Sequence, residues 1–245
     1  MATSDTDHQQ QELFVLVAAR LAARRNSPAC QFEEVVTAPD DASARAEILL
    51  LSSSILVPCL RHEGATVWDT LAIAEYLNEV RPDAGLLPAD RVQRAHCRSI
   101  CGEIHSGFTT LRASLPVNLK GHFPGFKIWS RAQADIDRVC TIWRDCLAQS
   151  GGPFLFGERT MADAMYAPVV TRFMTYDVKL EPRLVTYANM IMAMPEMRGV
   201  DRGRQGRARR HRGTRGRILG SVAPCPFEGL KARAGFAVKP VPPRM

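Results

Sequence analysis

The sequence has no hydrophobic run long enough to cross a lipid bilayer. A membrane-spanning helix needs about 20 apolar residues, and the best stretch, residues 13–23, is shorter and contains Arg20. The first eleven residues carry no lysine or arginine, which a secretory signal peptide requires. These absences argue against a membrane-spanning protein. They predict a cytoplasmic location and no membrane partner.

Cysteine is too scarce and too irregularly placed for a disulfide framework. The 245 residues contain seven cysteines, and an odd number fits reduced thiols. Cys97 and Cys101 are four positions apart on a predicted helix, a spacing that two metal ligands could have. A metal site of that kind needs two further ligands, which the neighbouring histidines do not supply. We therefore expect this pair to pack in the core, and we expect no metal.

Positive charge is in excess only near the C-terminus. The net charge is +7, yet residues 198–245 carry 13 Lys/Arg against 2 Asp/Glu, leaving 19 basic and 23 acidic groups in residues 1–197. This tail is predicted to be disordered because it offers few apolar groups to bury. An arginine-rich arm can neutralise the phosphates of RNA, but this one lacks interleaved aromatic residues. RNA binding is therefore only an alternative function, and no nucleic-acid partner is expected.

From residue 32 onward the pattern predicts a small unit of mixed strands and helices. A short strand (FEEVV) precedes a short helix and the apolar run ILVPCL. Pro58 inside that run has no N–H, so it belongs at a sheet edge, at a strand start or in a cis turn. RHEG is predicted to be a four-residue hairpin loop before the strand ATVW. Asp69 and Thr70 are good N-caps for the helix that follows, whose apolar residues are Leu71, Ile73, Ala74, Leu77 and Val80.

The second half of the chain is predicted to be helical. The segment RPDAGLLPAD contains two prolines, one glycine and two aspartates, a composition typical of an interdomain linker. Apolar periodicity then predicts one stretch over residues 91–114 and further helices over 128–149, 164–175 and 182–194. Thr160 and Asp163 have the spacing of a capping box. The predicted organisation is a first domain over residues 1–82, of which 1–31 are atypical, a linker over 83–92, a helical domain over 93–197 and the tail over 198–245.

Four segments, in this order, resemble the glutathione S-transferase family: LVPCL, VWDTLAIAEYL, LLPAD and FLFGERTMADAMYAP. The similarity runs from about residue 32 to residue 197. Within the family the chain is similar to zeta-class enzymes and to a bacterial subfamily like the maleylacetoacetate isomerases. The resemblance implies a thioredoxin-like N-terminal domain followed by an all-helical C-terminal domain. It also implies glutathione as co-substrate, a small electrophilic substrate and a homodimer.

The resemblance implies roles for particular residues. Val57 and Pro58 would form a cis junction that turns the Val57 backbone toward the cysteinyl part of glutathione. Asp69 and Thr70, at a helix start, would receive the γ-glutamyl end. His105, Phe108 and Arg112 are candidates for the electrophile pocket, although an ordinary amphipathic helix explains them nearly as well. Thr160 and Asp163 would serve folding and not catalysis.

Both ends depart from the family pattern. Glutathione transferases need a hydroxyl or thiol after the first strand to stabilise the thiolate, and no Ser, Tyr or Cys lies between residues 12 and 25. The catalytic residue is therefore unknown, and a sheet without its usual first strand would lose its central scaffold. Permitted codons allow a shifted frame to read SSSSWSLRAWL near the start and an acidic helical ending after MPEM. The hypothesis is that both ends are read out of frame, which the gene sequence would test.

Two functions therefore stand beside RNA binding. The first is an enzyme that conjugates glutathione to a small electrophile or uses glutathione to isomerise one. The second is a catalytically impaired glutathione-binding or structural protein, which the missing serine favours. Retention on glutathione separates both from an RNA-binding protein, and a conjugation assay then separates turnover from binding.

Overall fold

The structure, a computed structural model, describes residues 32–33, 58–119, 121–197 and 220–222. Its strands are β1 (Phe32–Glu33), β2 (Cys59–His62), β3 (Ala65–Trp68) and β4 (Gly220–Val222). Its helices are α1 (Thr70–Val80), α2 (Arg91–Ser106), α3 (Thr109–Ser114), α4 (Ser130–Ser150), α5 (Met161–Thr175) and α6 (Pro182–Ala193), and a 3-10 turn covers Pro82–Ala84. A small sheet with one helix is thus followed by a helical part.

Strands β2 and β3 form a tight antiparallel hairpin. His62 pairs with Ala65, so the loop consists of Glu63 and Gly64 alone and is shorter than the four-residue loop predicted from RHEG. These two residues have φ angles of 48° and 84°, as a type I′ turn requires, and glycine adopts such angles without steric cost. The backbone angles of these two residues therefore explain the two-residue turn. Strand β2 continues through Arg61 and His62, two residues beyond the strand end predicted from the sequence.

The sheet has the strand order β1-β4-β2-β3. Strand β4 comes from the basic tail and lies antiparallel to β1 and parallel to β2. These three residues occupy the place between β1 and β2 that the sequence left without a scaffold strand. The rest of residues 198–245 lies outside the described residues, as do both segments of the frameshift hypothesis, so the predicted disorder of the tail stays a prediction.

Helix α1 packs its apolar face against the hairpin. Ile73, Ala74 and Leu77 are buried on this helix, and they belong to one core cluster with Leu60 of β2. The hydroxyl of Tyr76 lies 2.8 Å from Nδ1 of His62, at the end of β2. Apolar burial and this polar contact, which lies near the turn, together hold α1 along the hairpin.

Helix α5 is the centre of the helical part. All of its side chains except Met174 are buried, and it packs against α2 and α6. The indole of Trp143 on α4 lies with its ring centre within 5.9 Å of the rings of Tyr166, Phe173 and Tyr187. Such aromatic clusters bury large areas and contribute strongly to a core.

Helix α5 begins with a capping box formed by Thr160 and Asp163. Oδ2 of Asp163 accepts hydrogen bonds from the Thr160 N–H (2.8 Å) and hydroxyl (3.2 Å). Oδ1 accepts from the Leu155 N–H (3.2 Å) and the Tyr187 hydroxyl (3.2 Å). Burial raises the pKa of Asp163 to about 6, although these hydrogen bonds favour the ionised form and lower it.

The connection between α1 and α2 is held by specific contacts. The backbone oxygen of Leu86 accepts a hydrogen bond of 2.7 Å from the Met161 N–H at the start of α5. Asp90 caps α2 by accepting from the N–H groups of Val92 (3.0 Å) and Gln93 (2.9 Å). The linker segment is therefore tied to the helical part, which begins at Arg91.

The stretch predicted over residues 91–114 is two helices. Helix α2 ends at Ser106, and Phe108 has a φ of 57°, which interrupts the helix. A Cβ placed on Gly107 would lie 2.6 Å from the backbone oxygen of Glu103, closer than real contacts allow. Apolar spacing continued across this corner, so the hydrophobic pattern alone did not reveal it. Among the helices of the described ranges, none combines the length and apolarity needed to cross a membrane.

Candidate functional site

Asp69 joins the hairpin to α1 in an uncommon backbone conformation. Its φ and ψ are 77° and 137°, a positive φ that costs energy for any residue with a side chain. Oδ1 accepts hydrogen bonds from the N–H groups of Leu71 (2.9 Å) and Ala72 (3.2 Å). The side chain remains 42% exposed, so a capping carboxylate is open to solvent at the positive end of the helix dipole.

Pro58 lies at the same end of the hairpin as Asp69. Cys59 is the first residue of β2 and pairs with Trp68, the last residue of β3. Pro58 directly precedes Cys59, and Asp69 directly follows Trp68. The strand register therefore places the proline next to the start of the helix. Val57 lies outside the described residues, and the cis bond between Val57 and Pro58 stays a prediction.

Thr70 and Asp69 are both bound by His105, which lies on the last turn of α2. Nδ1 of His105 is 3.0 Å from Oγ1 of Thr70, and Nε2 is 3.0 Å from Oδ2 of Asp69. Thr70 is buried, with 2% of its surface exposed, whereas the His105 side chain is 27% exposed. The two residues predicted to bind a ligand at the start of α1 are therefore connected to the helical part by the imidazole of His105.

The cap does not use the backbone N–H of Thr70, the first residue of α1. The first four N–H groups of a helix have no intrahelical partner, and Asp69 uses those of Leu71 and Ala72. A backbone donor next to an exposed carboxylate is suited to a ligand that carries both a carboxylate and an ammonium group.

The three residues predicted for the electrophile pocket have clear structural positions. His105 contacts Asp69 and Thr70 as described. Phe108 is a core residue with 8% exposure. Nη2 of Arg112 donates to the backbone oxygens of Ile104 (2.7 Å), His105 (2.8 Å) and Gly107 (2.6 Å). The electrophile pocket stays a prediction, while Arg112 supplies donors to the C-terminus of α2, which has unpaired carbonyls of its own.

Replacing Arg112 with leucine should lower the free energy of unfolding by about 1–3 kcal/mol, because three carbonyls at the end of α2 lose a charged donor. Urea denaturation measures this. The control is Arg144→Leu, which removes an exposed ion pair with Glu181 and should cost about 0–1 kcal/mol. Equal losses in the two variants would contradict the role assigned to Arg112.

Three cysteines of the helical part, which are buried or partly buried, are poor nucleophiles. Burial raises the pKa of Cys140 to about 11 and that of Cys146 to about 12, and it also raises the pKa of Cys101. These thiols are protonated near neutral pH and do not replace the missing activating group. Cys97 and Cys101 are both buried, and within the described residues there is no group of three or more possible metal ligands.

Comparison with known proteins agrees with this architecture. Residues 29–80 match the model of the glutathione S-transferase N-terminal domain, and residues 127–191 match that of the C-terminal domain. The chain is 34% identical over 146 residues to a probable maleylacetoacetate isomerase 1 of Drosophila melanogaster, covering 59% of this chain and 56% of that relative. It is 34% identical over 130 residues to the maleylacetoacetate isomerase of Rattus norvegicus, covering 51% of this chain and 57% of the relative.

Solved structures show the same fold. A glutathione transferase homologue from Burkholderia, with bound glutathione, superposes with a TM-score of 0.59 at 23% identity, covering 80% of this chain and 95% of the other. Glutathione S-transferase 1-6 from Anopheles dirus gives a TM-score of 0.60 at 17% identity, covering 84% and 95%. At these identities the likeness defines the architecture and not the activity.

Fold and matches together define a two-domain protein with a thioredoxin-like domain followed by an all-helical domain. The chain belongs to the glutathione S-transferase family, and its curated relatives are maleylacetoacetate isomerases of the zeta class. It spans a little more than half the length of the curated relatives given above.

Proposed function

We propose that this protein binds glutathione at the open end of the β2–β3 hairpin, next to the start of α1. The observation that carries the proposal is the meeting of Pro58 with Asp69 and Thr70, which the strand register produces. The backbone at Val57 and Pro58 would pair with the cysteinyl part of the peptide. The Thr70 N–H would receive the γ-glutamyl carboxylate, and the exposed carboxylate of Asp69 its ammonium.

The proposed activity is attack of the glutathione thiolate on a small electrophile. In conjugation, a carbon–sulfur bond forms and a leaving group such as chloride departs. In isomerisation, the thiolate adds to a conjugated double bond, rotation follows and the thiolate leaves unchanged. The names of the curated relatives favour the second reaction. By resemblance to the family, the active form would be a homodimer in the cytoplasm.

A second candidate is glutathione binding without turnover. The sequence has no Ser, Tyr or Cys between residues 12 and 25, where the family places its activating group. The described thiols with raised pKa values offer no replacement. Without a hydrogen bond to the sulfur, the bound thiol would stay largely protonated at neutral pH and react slowly.

Calorimetric titration of the full chain with glutathione tests the binding proposal. Saturable binding is expected, and S-methylglutathione, which keeps the peptide groups and loses the thiol hydrogen, should also bind. Absence of saturable binding would refute the proposal. Conjugation to 1-chloro-2,4-dinitrobenzene and isomerisation of maleylacetoacetate then measure turnover. Binding with neither reaction would favour the second candidate.

A further inference from the structure

One imidazole joins the helical domain to both polar side chains at the start of α1. His105 reaches Oγ1 of Thr70 through Nδ1 and Oδ2 of Asp69 through Nε2, at 3.0 Å in each case. Thr70 is 35 residues away from His105 along the chain, and Asp69 is one residue further. Both ring nitrogens are therefore used, and both contacts go to the residues that the proposed function assigns to the ligand.

The chemistry of the partners assigns directions to these hydrogen bonds. A carboxylate only accepts, so Nε2–H of His105 donates to Asp69. In the neutral imidazole Nδ1 then accepts, and its donor is the hydroxyl of Thr70. The ring thus holds the Asp69 carboxylate and the Thr70 hydroxyl in one fixed arrangement beside the helix N-terminus.

The backbone of His105 is also held in place. Its carbonyl oxygen accepts a hydrogen bond of 2.8 Å from Arg112, and the following residues turn sharply at Gly107. The imidazole therefore extends from a well-supported helix end. A group held in this way can orient its neighbours before a ligand arrives, which lowers the cost of binding.

We propose that His105 is a positioning residue for the γ-glutamyl end of glutathione, acting through Asp69 and Thr70. This inference rests on the proposed glutathione site and adds to it a residue from the helical domain. His105 does not touch the sulfur in this scheme. Its loss should weaken glutathione binding, with the effect passing through the two residues it contacts.

The chain offers a matched control for the alternative that His105 only joins two helices. Arg98 lies seven positions earlier on α2 and binds Glu75 of α1 at 2.7 and 3.0 Å on the exposed surface. Arg98→Gln therefore removes a polar link between the same two helices away from the site. It should leave the affinity for glutathione unchanged within about twofold, since exposed ion pairs contribute little.

The experiment is calorimetric titration of glutathione into the control Arg98→Gln and into three variants of His105. His105→Ala should weaken binding about tenfold or more, the loss expected from hydrogen bonds to a charged group. His105→Asn keeps a polar atom near the Nδ1 position and His105→Gln keeps one near the Nε2 position, so each should restore part of the affinity. Both variants keep a polar side chain at this position and carry the test if the alanine variant fails to fold.

A double-mutant cycle with Asp69→Asn provides the readout that a merely structural role would not change. If His105 acts through Asp69, removing the imidazole should weaken binding much less in the Asp69→Asn background than in the wild type. Additive losses, or His105→Ala binding as tightly as the wild type, would overturn this inference alone. A wild-type chain that does not bind glutathione would overturn it together with the proposed function.

Discussion

Replacing Asp163 with alanine should lower the free energy of unfolding by about 3–5 kcal/mol. The substitution removes the acceptor of four hydrogen bonds, given by the Thr160 N–H and hydroxyl, the Leu155 N–H and the Tyr187 hydroxyl. Asp163 is fully buried, so water does not replace the lost acceptor and each donor bears its desolvation cost. Urea denaturation followed by circular dichroism measures the change.

Asp145→Ala is the matched control for this prediction. Asp145 lies on α4 with an exposed side chain, so the same chemical change should alter the free energy of unfolding by less than about 0.5 kcal/mol. A loss in Asp163→Ala no greater than in this control would contradict the structural role of the capping box.

The titration of Asp163 gives the same prediction a signature in pH. Its folded-state pKa of about 6 lies above the ordinary value, so the folded chain holds the proton more tightly than the unfolded chain does. The stability that this proton contributes is present at low pH and is lost as pH rises through about 4 to 6, by up to about 3 kcal/mol. In Asp163→Asn the side chain at this position does not titrate. The difference in the free energy of unfolding between wild type and variant should therefore change by this amount between about pH 4 and 6. If that difference does not depend on pH, the prediction is wrong.

Local patterns in the sequence were enough for the elements that frame the site. The helix after Asp69 and the capping box at α5 depend on residues a few positions apart, whose side chains satisfy nearby N–H groups. The apolar run ILVPCL, the loop RHEG and the strand ATVW also located the hairpin. Its turn differed in length because Arg61 and His62 are polar yet continue β2, which the backbone angles of Glu63 and Gly64 permit.

Contacts between distant segments could not be derived in this way. Apolar spacing placed His105 and Arg112 on a helix, but it does not show which groups their polar side-chain atoms contact. His105 reaches the start of the helix α1. Arg112 reaches the carbonyls at the end of α2 because the chain turns at Gly107. The position of β4 depends on pairing across more than 150 residues, for which the basic tail showed no alternating pattern.

Replacing Asp69 with asparagine should weaken glutathione binding about 10- to 100-fold while leaving the fold intact. Asparagine is as good an N-cap as aspartate and tolerates a positive φ, so the hydrogen bonds from Leu71 and Ala72 can persist. What is lost is the negative charge that would receive the γ-glutamyl ammonium, and a hydrogen bond between charged groups contributes about 1.5–3 kcal/mol. Calorimetric titration gives the dissociation constant, and a thermal melt shows whether the fold is retained.

Asp90→Asn separates the charge at the site from the charge at a helix start in general. Asp90 caps α2 through the same pair of contacts, from Val92 and Gln93 at 3.0 and 2.9 Å, but it lies at the end of the linker and not beside Pro58. Both variants lose one negative charge near a helix N-terminus, so a field effect spread over the molecule would change both affinities alike. Because the proposed contact is local, only Asp69→Asn should bind glutathione more weakly. Equal affinities in the two variants would place the γ-glutamyl ammonium elsewhere.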